Sequence, residues 1–250
     1  MRIVAWNIRA GGGRRVADIA RQLERWQPDV VTLSEFRGTP PSQQLAHDLA
    51  ELGLGHQLLA TNPDRPAVNG LLLASRYPLR PLELPHAPQE PQRWLLAEVA
   101  TVKPFWLGSM HIPNYVTGRK QLYHQAVLTV VETWELGPAL VIGDTNSGLP
   151  NLDEETRVFG PQEAGWLRAL HEYGWLDAFR HHKGEERVFT WYSPNGGNGF
   201  RLDQAFINAD LIQHVSDIGY AWGKTADSNQ RRDALSDHAA ILLDLDLTVA

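Results

Sequence analysis

Several short apolar runs in this chain stop abruptly at an acid or an amide, and that punctuation constrains the fold more than any other feature. Val30-Val31-Thr32-Leu33 runs into Ser34-Glu35, and Ala139-Leu140-Val141-Ile142 runs into Gly143-Asp144-Thr145-Asn146. The first strand candidate ends at Trp6-Asn7, Arg201-Leu202-Asp203 leads into another apolar run, and Ser236-Asp237-His238 opens the last. Short apolar runs bounded by turn signals read as buried strands. Carboxylates such as Glu35, Asp144 and Asp237 suit a hard cation. Asn7 and Asn146 can orient water, metal or a phosphoryl oxygen, and His238 adds charge or a hydrogen bond. The set suits phosphoester cleavage.

Between these ends the pattern alternates. Val16, Ile19, Ala20 and Leu23 have helical spacing, between the Gly11-Gly12-Gly13 turn and Pro28. Further helices are predicted over 42–52, 118–134 and 163–172. Strands are predicted over 2–8, 30–33, 56–60, 69–75, 94–102, 105–111, 139–142, 189–192, 202–207, 215–220 and 238–245. No internal repeat or long linker interrupts them, so residues 1–250 are expected to form a single domain. The order lacks a strict βαβ repeat and supports α+β or α/β.

A hydrophobic content of 43% with nine tryptophans can fill a sizeable core. The lack of cysteine rules out disulfides and thiolate-bound zinc. No stretch approaches the roughly 20 apolar residues that cross a bilayer, and the N-terminus reads as a strand rather than a signal segment. A cytoplasmic monomer without membrane contact is expected. The net charge of −6 argues against a broadly basic nucleic-acid surface but leaves room for a local groove.

Taken in order from Arg2 to about Leu247, these motifs resemble the metal-dependent endonuclease/exonuclease/phosphatase superfamily, most like its exonuclease III and abasic-site endonuclease branch. The resemblance implies a four-layer αββα sandwich of two packed mixed sheets with outer helices and a site at one sheet edge. It implies Mg²⁺ or Mn²⁺ on Glu35, with Asn7 nearby. Asp237 is either a further metal ligand or a group that positions water. Asp144 would orient or deprotonate the attacking water, and Asn146 would bind the phosphate. Asp203 would hydrogen-bond His238 and favour its charged form. Trp191, Phe200 and Leu202 would line a slot for a base-free or flipped sugar. Arg119 and Lys120, with Arg14 and Arg15, are candidates for backbone phosphates, and Asn151 for support of the phosphate site. The implied reaction is hydrolysis of DNA at abasic sites or 3′ ends, leaving a 3′-hydroxyl and a 5′-phosphate.

Two positions depart from that branch. His111 stands where tyrosine is usual, and either donates a proton to the leaving oxygen or binds phosphate. Arg9 stands where a small acid or amide is common. With the acidic net charge, they support an alternative: a related phosphoesterase acting on nonspecific nucleic acid, a lipid headgroup or a small phosphodiester. A noncatalytic DNA-binding module is a third class. Ordinary roles also compete: turn residues for Asn7, Asp144 and Asn151, a solvated charge for Glu35, an Arg201 salt bridge for Asp203, and core packing for Trp191 and Phe200.

Overall fold

The computed structural model describes residues 1–224 and 234–248. In chain order the strands are β1 (Arg2–Asn7), β2 (Val30–Phe36), β3 (His56–Ala60), β4 (Gly70–Ser75), β5 (Leu79–Pro81), β6 (Trp94–Val99), β7 (Phe105–His111), β8 (Ala139–Asp144), β9 (Trp175–Asp177), β10 (Trp191–Tyr192), β11 (Gly199–Phe200), β12 (Asp203–Asn208), β13 (Val215–Ala221) and β14 (Ala240–Leu245). The helices are α1 (Val16–Trp26), α2 (Pro40–Glu51), α3 (Lys120–Glu132), α4 (Pro161–Glu172), α5 (Ala178–Lys183) and α6 (Ala209–Ile212). One six-stranded sheet runs β13-β14-β1-β2-β4-β3 and the other β5-β6-β7-β8-β12-β9, while β10 and β11 form a small ribbon. Both large sheets are mixed, because β1 pairs in parallel with β2 and β7 with β8 among otherwise antiparallel neighbours.

Side chains alternate across a strand, and both sheets use the two faces. Ile3, Ala5, Ile241 and Leu243 point into a shared core with Leu107, Leu140, Ile142 and Ala205 of the other sheet. On the reverse face, Val4, Trp6, Val31 and Leu33 pack beneath Ile19 and Leu23 of α1 and Leu45 and Leu49 of α2. The second sheet sends Met110, Val141 and Phe206 outward against Tyr123 and Val127 of α3 and Trp166 and Leu170 of α4. The result is the expected αββα sandwich. Among the described residues no helix is long and apolar enough to cross a membrane.

The first and last strands, β1 and β14, meet inside the first sheet. The Met1 amino group donates to the Leu245 carbonyl at 2.8 Å, and Arg2 pairs with Asp244 at 2.8 Å. Helices α2 and α4 each begin on a proline, two residues before the spacing predicts. Proline needs no amide partner in the first turn, so it extends the helix at the end where periodicity is silent. The strand expected over 94–102 stops at Val99, and that expected over 189–192 keeps only Trp191–Tyr192. Strands β5, β9 and β11 and helices α5 and α6 are too short to leave a period in the sequence.

One glycine sets the spacing at the rim. Gly143 has φ +146°, and a Cβ there would fall 2.0 Å from the Met110 carbonyl oxygen. Only glycine lets β8 approach β7 this closely, immediately before Asp144.

Below the rim, Arg201 is fully buried and pairs with Asp153 at 2.7 Å and Asp177 at 2.5 Å. Arg201 therefore turns away from Asp203, and the salt bridge offered as an ordinary role for Asp203 goes elsewhere. Burial would raise the Asp153 carboxyl, but Arg201 and Arg180 outweigh it and hold the group below the usual carboxylate range. Arg201→Ala strands a buried carboxylate, so it should cost about 3–5 kcal/mol at neutral pH, read from urea unfolding midpoints. Asp153 stabilises fully above its unfolded pKa of about 3.9 and loses that contribution as pH falls through its lower folded value. The gap between parent and variant should therefore narrow in acid; a gap constant with pH would mean that the pair is not its source.

Candidate active site

Strand register, more than any single residue, assembles the site. Parallel pairing of β7 and β8 sets His111 level with Asp144. Antiparallel pairing of β12 and β8 sets Asp203 opposite the same Asp144. From the facing sheet, β1 ends at Asn7 beside Ser34 of β2, and the segment entering β14 brings His238 to a bridge with Trp191. The site thus lies on the rim made by the ends of central strands of both sheets. The lateral strand β13 supports this rim through Tyr220.

His238 Nδ1 lies 2.9 Å from Asp203 Oδ2, and its Nε2 lies 3.9 Å from Asp144 Oδ2. His111 Nε2 is 3.6 Å from the same Asp144 oxygen, which also accepts the Asn7 side-chain amide at 3.0 Å. Asp144 Oδ1 accepts the Asn146 backbone N–H at 3.0 Å. All four titratable groups are buried. Burial disfavours a charged His238, yet the Asp203 and Asp144 carboxylates outweigh it and raise its pKa to about 10. Burial, reinforced by Asp203, raises Asp144 against the opposing pull of both histidines. Burial lowers His111 to about 4. At neutral pH the cluster therefore holds an imidazolium between carboxylates and a neutral imidazole alongside.

Backbone and side-chain bonds fix each member. Trp6 Nε1 donates to the His238 carbonyl at 3.0 Å, and Ser236 Oγ donates to the Asn7 carbonyl at 2.6 Å. Thr190 Oγ1 accepts the N–H groups of Leu202 and Asp203, and the Tyr220 hydroxyl donates to the Asp203 carbonyl at 2.8 Å. Asn146 sits at φ 47°, with its side-chain amide on the Ile112 carbonyl at 2.9 Å. Its own carbonyl accepts Lys120 Nζ at 2.7 Å, and Lys120 also pairs with Glu163 at 2.9 Å. Lys120 is thus buried beneath the loop rather than offered to a phosphate. Sequence reasoning missed Thr190, Tyr220 and Glu163, whose roles come from contacts distant in the chain. Thr190 had one local signal, a hydroxyl flanked by Phe189 and Trp191.

The proposed metal ligands occupy the more open side. Glu35 stands at a break in the β2–β4 register with φ 57°; its Oε2 accepts the Ala10 N–H at 2.7 Å, and Oε1 has no donor among the described residues. Asn7 Oδ1 accepts the Arg9 N–H at 3.0 Å, and Asp237 lies 3.9 Å from the Arg9 guanidinium. Asp237 and Glu35 retain solvent access. An all-oxygen donor set with open sides fits Mg²⁺ or Mn²⁺, which keep several waters. Asp144, Asp203 and His238 also bring donor atoms within 4.8 Å of one another. In that trio His238 Nδ1 and Asp203 Oδ2 already engage each other at 2.9 Å, so it suits proton holding.

Trp191, Phe200 and Leu202 come together with Phe159 in a small apolar cluster. Phe200 and Leu202 are packed inside it, whereas Trp191 is half-buried with its ring 6.3 Å from that of His238. Arg119 is exposed at the start of α3 and pairs with Glu90 at 2.9 Å. Asn151 is exposed at φ 66°, its N–H held by Glu154 at 3.0 Å, and its side chain makes no hydrogen bond among the described residues. Arg14 is exposed, and Arg15 donates to the Arg9 carbonyl at 2.6 Å, bracing the glycine turn.

A two-sheet sandwich whose strand ends gather an imidazolium, carboxylates and amides on one rim suits a phosphoester hydrolase. Residues 4–238 match the model of the Endonuclease/Exonuclease/phosphatase family, and the chain belongs to that family. Exodeoxyribonuclease III of Haemophilus influenzae is 23% identical over 276 residues, covering 96% of this chain and 98% of that protein. An AP endonuclease from Archaeoglobus fulgidus superposes with a TM-score of 0.79 at 18% identity, over 99% of this chain and 100% of the other. The 3′ phosphatase NExo from Neisseria, in a complex with product DNA hairpin, superposes with a TM-score of 0.80 at 20% identity, over 98% of this chain and 99% of the other. At these identities the superpositions establish the fold.

Asp203→Asn removes the carboxylate that does most to keep His238 charged, so the imidazolium should release its proton at lower pH. The alkaline limb of a kcat/KM profile should shift to lower pH, together with the His238 transition in a nitrogen-15 NMR titration. An unmoved NMR transition would break the link between these two residues.

Proposed function

We propose that this chain is a Mg²⁺- or Mn²⁺-dependent phosphodiesterase that hydrolyses DNA, at abasic sites, 3′ ends or both. The observation that carries the proposal is the buried Asp203–His238–Asp144 arrangement, with His238 Nδ1 2.9 Å from Asp203 and its Nε2 facing Asp144. Asp144, with its raised pKa, is suited to take a proton from water aimed at phosphorus. His238, charged, stabilises the negative charge that grows on the phosphoryl oxygens. Asn146 keeps a second amide hydrogen for the phosphate. The low pKa of His111 favours phosphate binding through a neutral N–H over proton donation to the leaving oxygen.

Glu35, Asn7 and Asp237 would hold the cation. Bound there, it supplies Lewis-acid polarisation of the phosphoryl group. Trp191 offers the exposed part of the apolar cluster to a sugar, beside the imidazolium. DNA is the substrate of choice in this reading because the exodeoxyribonuclease, AP endonuclease and DNA-bound phosphatase relatives point to it. One chain supplies every residue of the cluster, which supports action as a monomer, and we take the compartment to be the cytoplasm.

The test compares a duplex carrying one abasic-site analogue, an intact duplex with a free 3′ end, and a generic phosphodiester, each with Mg²⁺, Mn²⁺ or chelator. Metal-dependent cleavage of either DNA supports the proposal, whereas cleavage of the generic ester alone favours the broader phosphoesterase. Asp144→Asn should fold normally and lose at least about a hundredfold in kcat. Glu35→Ala should weaken Mn²⁺ binding measured calorimetrically without substrate; an unchanged isotherm removes Glu35 from the ligand set.

A further inference from the structure

A cavity of about 410 Å³ next to the rim is walled by Arg37, Arg65, Arg93 and Arg119, with Glu90 its one carboxylate. In a protein of net charge −6, four guanidiniums around one small volume are a local reversal of sign. Glu90 grips Arg93 at 3.3 Å and Arg119 at 2.9 Å, and Arg37 Nε rests on Asn69 at 2.7 Å. Those contacts fix three of the planar groups while leaving N–H donors over. Arg65 is exposed, and its guanidinium makes no hydrogen bond or ion pair among the described residues.

The cavity is tied to the catalytic rim through the backbone. Arg93 accepts the His111 N–H at 3.0 Å and returns a guanidinium bond to the His111 carbonyl at 3.1 Å. Arg37 follows Glu35 by two residues at the end of β2. The arginines therefore border the His111 and Glu35 side of the cluster, while Trp191 borders the His238 side.

We infer that this cavity binds a terminal phosphate of the DNA substrate, a phosphomonoester dianion separate from the reacting phosphorus. The inference rests on the DNA reading above. An internal phosphodiester brings one charge and two free oxygens, which one or two arginines satisfy. A terminal phosphate brings a charge of about −1.5 to −2 and three acceptor oxygens. Guanidinium forks bind such groups in pairs of parallel hydrogen bonds, and several converging forks match the larger charge. For an enzyme working on a 3′ end at a gap, that group is the 5′-phosphate on the neighbouring strand end. The site would make a gapped duplex with a phosphorylated downstream end the preferred substrate.

Two gapped duplexes that differ only in a 5′-phosphate or 5′-hydroxyl on the downstream strand test the site. KM is measured with Mg²⁺, and binding is followed by fluorescence anisotropy in chelator. The parent should prefer the phosphorylated duplex by about tenfold in both, a difference of about 1.4 kcal/mol. Arg65→Ala, a change at an exposed residue, should lose most of that preference and keep kcat. Equal binding of both duplexes by the parent overturns the site, as does an Arg65→Ala variant that weakens both equally. If neither duplex is cleaved but the phosphate preference in binding persists and depends on Arg65, the hydrolysis reading fails and the terminal-phosphate site stands.

Discussion

His238 carries its charge between two buried carboxylates, and most of the rim is organised to make that possible. An imidazolium excluded from water is costly unless its partners are close and correctly aimed. Asp203 provides the close contact and Asp144 the second charge, and each depends on a hydrogen-bonded backbone around it. Because Asp144 and Asp203 face one another across β8 and β12, a slip of one residue in that pairing would turn one of them to the opposite face. Charge placement here is therefore a property of sheet register.

Much of this was legible in the sequence where a polar residue followed an uninterrupted apolar run. Glu35 and Asp144 announce themselves that way, as does Asn7 at the end of the first strand, whereas His238 stands just before the last apolar run. The αββα layering came from the family resemblance, since the spacing alone left α+β and α/β both standing. What stayed hidden depends on contacts that no window along the chain contains. Lys120 looks like a surface cation beside Arg119, yet Glu163 and the Asn146 carbonyl draw it under the loop. Arg201 sits two residues from Asp203 but answers to Asp153 and Asp177. The arginines at 37, 65, 93 and 119 lie in four separate connections, and only the fold brings them around one cavity.

The rim divides functionally along its length. Its centre is buried and settles which groups carry protons. Toward Glu35 and Asp237 it is open and rich in oxygen donors, as a hydrated divalent cation requires. Toward Trp191 it becomes apolar, and toward Arg93 strongly basic. A net negative protein can thus present an anion with a short basic tract beside open carboxylates. The salt dependence of association should accordingly be shallow for a nuclease, because few phosphates are neutralised.

The pairing of β1 with β14 has a consequence for synthesis. β14 lies between β1 and β13, so β1 is an edge of a four-stranded β1-β2-β4-β3 sheet until residues 240–245 are available. The strand that β1 needs on that side is thus made about 230 residues after it, with His238 just ahead of that strand. A nascent chain can build the β7–β8 pair and its helices early, but it holds Asn7 and Glu35 in an unclosed half-sheet. A chain that has not yet reached β14 presents β1 as an open strand edge for chaperones or proteases to recognise.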